Sequence, residues 1–352
     1  MKTALTNKLA ALGARSAEYG GVETAASFGD VDAEFQALTQ GCGVFDLGWR
    51  ARIVVRGEDR VRWLNGMVTN NVRDLAPNEG NYNFVLSPQG RIQGDLYAYN
   101  RADHLVIETD VAQLPALTKF LEHYIIMDDV TLELTTDTVS AIGIQGARAA
   151  EVLATAGLTP LNESLTIAGQ DCGGVGVSLV RMPDGTPSYE LWLATGHAGS
   201  IWEDLVRAGA TPVGFEAVEK YRVLAGIPKY GQDIRAKDLP QETSQERALH
   251  FNKGCYVGQE IVERIRSRGA VHRSLSGFVL HGPAERGMKV VGLDHNRCEK
   301  EIGELTSVAS IPIRGMIKII GLGIVRHDGI EPGTHCRIGT TEAMAEELPF
   351  KY

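Results

Sequence analysis

Cysteine is scarce in this sequence. The 352 residues include five cysteines, Cys42, Cys172, Cys255, Cys298 and Cys336, and no two of them form a CxxC pair. An odd and widely spaced set of thiols does not suit a disulfide framework or a zinc site. The sequence therefore predicts free cysteines in a reducing compartment.

Long apolar runs are missing as well. The first segment, MKTALTNKLAALGARSAEYGG, lacks the apolar core of a signal peptide. The most apolar late run, IPIRGMIKIIGLGIV, is interrupted by Arg314 and Lys318 and is too short to span a bilayer. We therefore expect a soluble cytoplasmic protein that does not bind membranes.

Positive charge is in the minority. The chain has 35 lysines and arginines against 44 aspartates and glutamates, which gives a formal charge of −9. Because phosphate contacts need a basic surface, direct DNA binding is not expected. With 43% hydrophobic and 22% charged residues, the composition is that of a globular protein long enough for two or three domains.

The same order of elements occurs twice along the chain. The first half contains the strand ARIVVRG, the helix EDRVRWLNGMV, a hairpin turning near Pro88-Gln89-Gly90, a strand, the helix LPALTKFLEHYII and the strand VTLEL. The second half repeats this order from the strand VSAIGIQG to the helix SIWEDLVRAGA. We predict an α+β fold with two related β-α-β-β-α-β units.

The texture changes after about residue 272, where short strands alternate with glycines. This pattern is typical of a small antiparallel β-barrel. The predicted domains are residues 1–137, residues 138–235, a linking segment 236–272 that contains the motif KGCYVGQE, and the C-terminal barrel 273–352.

One predicted strand, PSYELWLAT, carries a carboxylate beside a tryptophan. Because strand residues alternate between faces, Glu190 and Trp192 share one face. A carboxylate in that setting can accept two adjacent N–H groups of a flat heterocycle. An ordinary exposed strand face fits the pattern too.

Three further positions are candidates for ligand contact. Arg222 on a predicted helix suits a carboxylate tail, Tyr230 follows it in a loop, and Asp95 comes just after a turn. A solvated helix face and a structural turn aspartate are the ordinary alternatives.

Cys255 precedes a predicted amphipathic helix that begins near Gly258, and Lys253 is two residues away. The N-terminal dipole of a helix and a nearby cation both stabilise a thiolate. A small buried residue in a tight turn is an equally good reading of the sequence alone.

Taken in order, these segments resemble the folate-binding superfamily of the glycine-cleavage T-protein, an aminomethyltransferase. The motif KGCYVGQE resembles the YgfZ branch, whose members bind tetrahydrofolate and support assembly or repair of iron–sulfur proteins. T-proteins carry an acidic residue and an aromatic where this chain has Cys255-Tyr256. They carry paired aspartates where this chain has Gly94-Asp95.

The resemblance implies a fold built around a central folate channel, with tetrahydrofolate as the cofactor. It assigns Glu190 to the pterin, Arg222 to the glutamyl tail and Tyr82 to the channel wall. Asp95 matches one of the paired acids, and its missing partner at Gly94 argues against proton transfer to an aminomethyl substrate. The remaining expected folate contacts are Tyr230 and Lys253.

We therefore expect a tetrahydrofolate-binding protein that assists assembly or repair of iron–sulfur proteins, with Cys255 as its functional thiol. Iron–sulfur client or assembly proteins are the expected partners. One cysteine cannot hold a cluster alone, because clusters are usually bound by four thiolates, and no metal site is predicted. The alternative is a folate-dependent aminomethyltransferase or demethylase of the T-protein type.

Overall fold

The computed structural model describes residues 1–183, 185–269, 271–293, 299–313, 315–326 and 330–351. Contacts between residues divide the chain into two units. The first unit comprises Met1–Asn83, Asp95–Val218 and Asn252–Tyr256, and the second comprises Phe84–Gly94, Glu219–Phe251 and Val257–Tyr352.

Eight α-helices lie within the described residues. They are α1 (Thr6–Ala11), α2 (Val31–Thr39), α3 (Arg60–Met67), α4 (Leu114–His123), α5 (Ala149–Thr155), α6 (Ala198–Arg207), α7 (Phe215–Leu224) and α8 (Gln259–Arg268). Helix α2 begins after Asp30, whose carboxylate accepts the backbone N–H groups of Asp32 and Ala33. None of the helices in the described ranges is long and apolar enough to cross a bilayer.

The first copy of the repeat forms a five-stranded sheet. It is preceded by β1 (Arg15–Tyr19), β2 (Val22–Ser27) and β3 (Gly43–Asp46). Its strands are β4 (Arg50–Arg56), β5 (Gly80–Leu86), β6 (Ile92–Asn100), β7 (Leu105–Asp110) and β8 (Thr131–Leu134). They lie in the order β5-β6-β7-β4-β8.

The second copy forms a sheet with the same plan. Its strands are β9 (Val139–Gln145), β10 (Ile167–Cys172), β11 (Val175–Arg181), β12 (Ser188–Ala194) and β13 (Thr211–Pro212). The order is β10-β11-β12-β9-β3-β13, so β3 is inserted between the strands that match β4 and β8 of the first copy. In each copy three strands lie between the two helices, because the predicted hairpin is followed by a further strand. The predicted α+β repeat is confirmed, with one strand more in each copy than the predicted β-α-β-β-α-β unit.

The turn between β5 and β6 is where the sequence placed it. The N–H of Gly90 donates to the carbonyl of Ser87 at 2.8 Å. Gly90 has φ +72°, and an added Cβ would lie 2.7 Å from Cβ of Ile261. Only glycine suits this position, because both the backbone angle and the space exclude a side chain.

The C-terminal part of the second unit is a closed antiparallel barrel, as predicted. Its strands follow one another in the order β14-β17-β16-β15-β18-β19, and β19 pairs with β14 to close the ring. They are β14 (Arg273–Leu280), β15 (Lys289–Leu293), β16 (Glu299–Ile313), β17 (Met316–Arg326), β18 (His335–Ile338) and β19 (Thr341–Glu346). Phe278, Leu305 and Ile338 are fully buried in its core.

One face of the second sheet packs against α5 and α6. Tyr189, Leu191 and Leu193 of β12 join this core, together with the fully buried Trp202 of α6. Because strand side chains alternate, Glu190 and Trp192 must point to the other face of the sheet. The two helices therefore cover the apolar face of the second sheet, and Glu190 and Trp192 lie on its other face.

Candidate functional site

A buried polar face lies on strands of the two sheets of the first unit. Arg52 is 2% exposed, Glu108 0% and Glu190 6%. Buried charges are costly unless they are paired, so a group of them on core strands is typical of a functional site. Its members are Arg50, Arg52, Asp95, Tyr97, Glu108, Asp110, Glu190 and Trp192, which we call the inner polar face.

Asp95 is held firmly on β6. Its carboxylate accepts the Tyr82 hydroxyl at 2.6 Å and Nε2 of Gln113 at 2.7 Å, and its backbone N–H donates to Oε1 of Gln113 at 3.0 Å. Burial raises the pKa of Asp95, and the charge of Asp110 raises it further. Asp95 therefore keeps its proton to a higher pH than an ordinary aspartate does.

Gly94 lies on the opposite face of β6 from Asp95. The buried residues Ile92, Gly94 and Leu96 alternate with Gln93 and Asp95 along the strand. A carboxylate at position 94 would therefore point away from Asp95. The argument that Gly94 deprives this site of a second acid is wrong, because the alternation of strand residues puts position 94 outside it.

Aromatic rings flank Asp95. The Tyr82 and Tyr97 rings have centroids 5.0 Å apart, and Tyr82 is 5% exposed. Flat rings of this kind suit stacking against a planar ligand. The placement of Tyr82 beside Asp95 is compatible with its predicted part in lining a ligand channel, which stays a prediction.

The two carboxylate oxygens of Glu190 differ in their hydrogen bonding. Oε2 accepts the indole N–H of Trp192 at 2.7 Å and lies 3.7 Å from Nη2 of Arg52. Oε1 accepts no hydrogen bond from any residue that the structure describes. Both Glu190 and Trp192 are 6% exposed, so the alternative of an exposed strand face is wrong. The pterin contact of Glu190 stays a prediction, with Oε1 as the oxygen left for a ligand.

Arg52 is a buried cation that sequence reasoning missed. Nη1 donates to the carbonyl of Arg50 at 3.2 Å, whereas Nε and Nη2 have no hydrogen-bond partner among the described residues. Nη2 lies 3.9 Å from Glu108 and 3.7 Å from Glu190, and the guanidinium carbon is 4.9 Å from the centre of the Trp192 ring. Arg52 thus connects carboxylates of the two sheets.

Arg50 binds two acids of the neighbouring strand. Nε and Nη2 donate to the two carboxylate oxygens of Glu108, and Nη1 donates to Asp110 at 2.6 Å. Burial raises the pKa of Glu108 to about 7, even though Arg50 opposes the rise. The available sequence signal was the alternation of charged with apolar residues in RARIVV and VIETD, which puts both charges of each strand on one face.

A small-molecule-sized cleft opens beside this face within the first unit. Its volume is about 650 Å³, and its lining includes Arg52, Val54, Val106 and Trp192. Clefts of this size accept small ligands. Neither Asp95 nor Glu190 lines it.

Lys253 is buried, and its ammonium group is bound to backbone carbonyls. Nζ donates to the carbonyls of Asn70 and Val68, the latter at 2.7 Å, and lies 5.1 Å from the centre of the Tyr256 ring. Burial lowers the pKa of Lys253 to about 7, and the charge of Arg73 adds to the shift. Lys253 therefore holds the Asn252–Tyr256 segment onto the first unit. Its folate contact and its support of a thiolate stay predictions.

Cys255 is exposed, and the buried alternative is wrong. Helix α8 begins at Gln259 after Gly258, which has φ +82°, so the helix start is within one residue of the prediction. The thiols of Cys42 and Cys172 are buried, and burial raises the pKa of Cys42 to about 12 and that of Cys336 to about 11. Cys298 lies outside the described residues. Cys255 is the accessible thiol of the described set.

Arg222 belongs to a hydrogen-bonded network in the second unit. Its guanidinium donates to Glu219 through Nε and Nη2, to Asp233 at 2.7 Å and the carbonyl of Ile227 at 2.6 Å through Nη1, and to Ser307 at 2.8 Å through Nη2. These bonds use all five N–H groups of the side chain. The predicted contact with a folate tail is not tested, and it requires Arg222 to release one of these bonds.

Tyr230 is half-buried in the second unit and pairs with Ile234 in an isolated β-bridge. Its folate contact also stays a prediction. Within the described ranges there is no group of three or more His, Cys, Asp or Glu side chains placed to hold a metal ion.

Comparison with known proteins decides the family. Residues 5–253 match the GCVT N-terminal domain family. The chain belongs to this family. Two similar relatives are aminomethyltransferases of Herpetosiphon aurantiacus, 27% identical over 99% of this chain and 95% of the relative, and of Rubrobacter xylanophilus, 28% identical over 92% and 87%.

The GCVT fold is confirmed by a solved structure. Glycine cleavage system aminomethyltransferase T from Bartonella henselae superposes with a TM-score of 0.88 over 100% of this chain and 98% of that one, at 21% identity. GCVT aminomethyltransferases use tetrahydrofolate as their one-carbon carrier, in agreement with the predicted cofactor. The names of the relatives fit the aminomethyltransferase alternative better than the iron–sulfur reading, and the YgfZ assignment stays a prediction.

Proposed function

We propose that this GCVT-family protein is a tetrahydrofolate-dependent one-carbon transferase of the aminomethyl type, with Asp95 as its proton-transfer group. The observation that carries the proposal is the setting of Asp95. Tyr82 and Gln113 hold both of its carboxylate oxygens in place, and its pKa is raised. Position 94 lies on the opposite face of β6, so the glycine there does not deprive this site of an acid.

The inner polar face fits a reduced folate in its chemistry. Glu190 Oε1 is an open acceptor for ring N–H groups, next to the cation Arg52. Tyr82 and Tyr97 offer aromatic surfaces beside Asp95. Tetrahydrofolate, when bound, supplies the nitrogen atoms that carry the one-carbon unit.

Asp95 would hold a proton and exchange it with a nitrogen of the reacting groups. A raised pKa suits this task, because an acid titrating nearer to neutral pH can both give and take a proton. Acid–base groups typically contribute a factor of about 10²–10⁴ to the rate.

The test pairs a binding titration with a turnover assay. Calorimetry with tetrahydrofolate and its 5,10-methylene and 5-formyl forms should show binding. Turnover with a lipoyl-bound aminomethyl donor should fall by about 10²–10⁴ in Asp95→Asn, with folate affinity kept within a few-fold. Asp103→Asn is the matched control, since Asp103 is exposed. Absence of folate binding, or full activity of Asp95→Asn, would overturn the proposal.

A second candidate function is assembly or repair of iron–sulfur proteins, with iron–sulfur clients as partners. It is favoured by Cys255, an exposed thiol in the motif KGCYVGQE. The remaining cluster ligands would come from a partner chain or a small molecule. Folate binding without aminomethyl turnover, together with Cys255-dependent rescue of iron–sulfur enzymes in cells lacking the protein, would select this function over the first.

A further inference from the structure

Asp110 shares a face with Asp95. Strands β6 and β7 are antiparallel, and Tyr97 lies opposite Glu108. Asp95 is two residues before Tyr97 and Asp110 is two residues after Glu108, so both fall on the face that this pair defines. The Thr109 hydroxyl donates to the carbonyl of Asp95 at 2.8 Å, which shows that the two strands stay adjacent up to this point.

Arg50 connects the acids of this face. On the neighbouring strand β4, Arg50 lies opposite Asp110 and donates to it through Nη1 at 2.6 Å. Nε and Nη2 of Arg50 donate to Glu108. Asp110 is 14% exposed and Arg50 17%, so water screens these charges little. The positive charge of Arg50 is thus shared between two carboxylates and is only partly available to Asp95.

The groups that act on Asp95 have opposite effects. Tyr82 from β5 and Gln113 after β7 donate to its carboxylate and lower its pKa, as does the charge of Arg50. The charge of Asp110 raises the pKa, second only to burial. The ring of Tyr97, on the same strand as Asp95, lies tilted against the ring of Tyr82. Removal of the charge of Asp110 would take away a repulsion and leave Arg50 less neutralised, and both changes favour an ionised Asp95.

We infer that Asp110 is the second acid of the Asp95 site and that its like charge and its hydrogen bond with Arg50 favour the protonated form of Asp95 when the substrates bind. The inference rests on the proposed function. Position 94 lies on the other face of β6, so the second acid of this site comes from the adjacent strand β7. Asp110 is a tuning residue in this assignment, since it acts through Asp95.

The test measures the protonation of Asp95 directly. Full-length protein with aspartate labelled by ¹³C at Cγ is titrated by NMR, and the Asp95 resonance is assigned from its loss in Asp95→Asn. Asp110→Asn keeps the shape of the side chain and an oxygen for Arg50. It should lower the titration midpoint of Asp95, because a like charge is removed. Glu122→Gln, a change of equal charge at an exposed position of α4, should leave the midpoint unchanged.

A variant of opposite sign separates tuning from a structural role. Arg50→Gln should raise the midpoint of Asp95, because it removes a positive charge that lowers the pKa of Asp95. If Arg50→Gln does not fold, the equally uncharged Arg50→Met takes its place. The alkaline limb of the pH–rate profile of kcat/KM, where a protonated Asp95 loses its proton, should move with the midpoint in each variant. An unchanged midpoint in Asp110→Asn overturns the inference even if the enzyme is active. A shifted midpoint without any turnover supports the coupling and overturns the proposed function.

Discussion

The indole N–H of Trp192 donates to Oε2 of Glu190 at 2.7 Å, from a position two residues further along the same strand. This bond fixes the carboxylate on the inner polar face before any ligand is present. It also limits what the carboxylate can do, because Oε1 is the oxygen left without a donor among the described residues. A ligand that presents two adjacent N–H groups would have to share Oε2 with Trp192.

Glu190→Gln should weaken folate binding. The substitution keeps the shape but replaces a charged acceptor with a neutral amide. Charge-assisted hydrogen bonds contribute about 1.5–3 kcal/mol, so the dissociation constant should rise roughly ten-fold or more. Calorimetry measures the change. The control Glu163→Gln removes an exposed acid of the same unit and should bind folate with the affinity of the parent. If Glu190→Gln also binds with the parent's affinity, Glu190 does not contact the folate.

If the second candidate function holds, Cys255→Ser should abolish iron–sulfur maintenance without affecting folding or folate affinity. Because Cys255 is exposed, the unfolding free energy should change by no more than about 1 kcal/mol. Rescue of iron–sulfur enzyme activity in cells lacking the protein should be lost. In the purified protein, the fastest alkylation by iodoacetamide near neutral pH should disappear.

The matched control for the thiol is Cys336→Ser, since Cys336 is half-buried and burial raises its pKa to about 11. This variant should rescue like the parent and keep the fast alkylation. If Cys255→Ser also rescues fully, Cys255 has no part in iron–sulfur maintenance.

Lys253→Met should change how stability depends on pH. Burial lowers the pKa of Lys253 from its ordinary value of 10.5 to about 7 in the folded protein. Between these values the unfolded chain binds more protons than the folded one, so Lys253 makes the protein more stable as pH rises from about 7 to about 10.5. Below about pH 7 both states are charged, and the dependence vanishes.

The methionine variant lacks this dependence and leaves two carbonyls, of Val68 and Asn70, without their donor. Denaturant unfolding of both proteins at about pH 6.5 and pH 9.5 measures the effect. The parent should gain free energy of unfolding relative to Lys253→Met at the higher pH. A difference that stays constant between the two pH values would show that Lys253 does not titrate there.

Arg222→Met should destabilise the second unit strongly. Asp233 is fully buried, and its carboxylate would lose the hydrogen bond that Nη1 of Arg222 donates to it at 2.7 Å, together with the positive charge of Arg222. Removing one partner of a buried ion pair costs about 3–5 kcal/mol. Arg286→Met, at an exposed position of the same unit, should cost less than about 0.5 kcal/mol. A folded Arg222→Met of unchanged stability that binds folate more weakly would instead favour the predicted tail contact.

The order of secondary structure could be predicted from the sequence. Strand alternation, helical periodicity and turn glycines such as Gly90 and Gly258 are set by neighbours along the chain, so the repeat, the hairpin turn and the start of α8 could be placed. The face shared by Glu190 and Trp192 follows from the same period of two. The barrel and the family resemblance depend on the order of such local segments, and both were therefore visible.

Tertiary structure alone decided which charges meet. Arg50 and Glu108 are 58 residues apart and pair because β4 lies beside β7 in one particular register, which no local pattern specifies. For the same reason the second acid beside Asp95 is Asp110 and not a residue at position 94. The carbonyls that hold Lys253 lie more than 180 residues away in sequence, so the partner of this lysine, and the exposure of Cys255 beside it, depend on the folded chain.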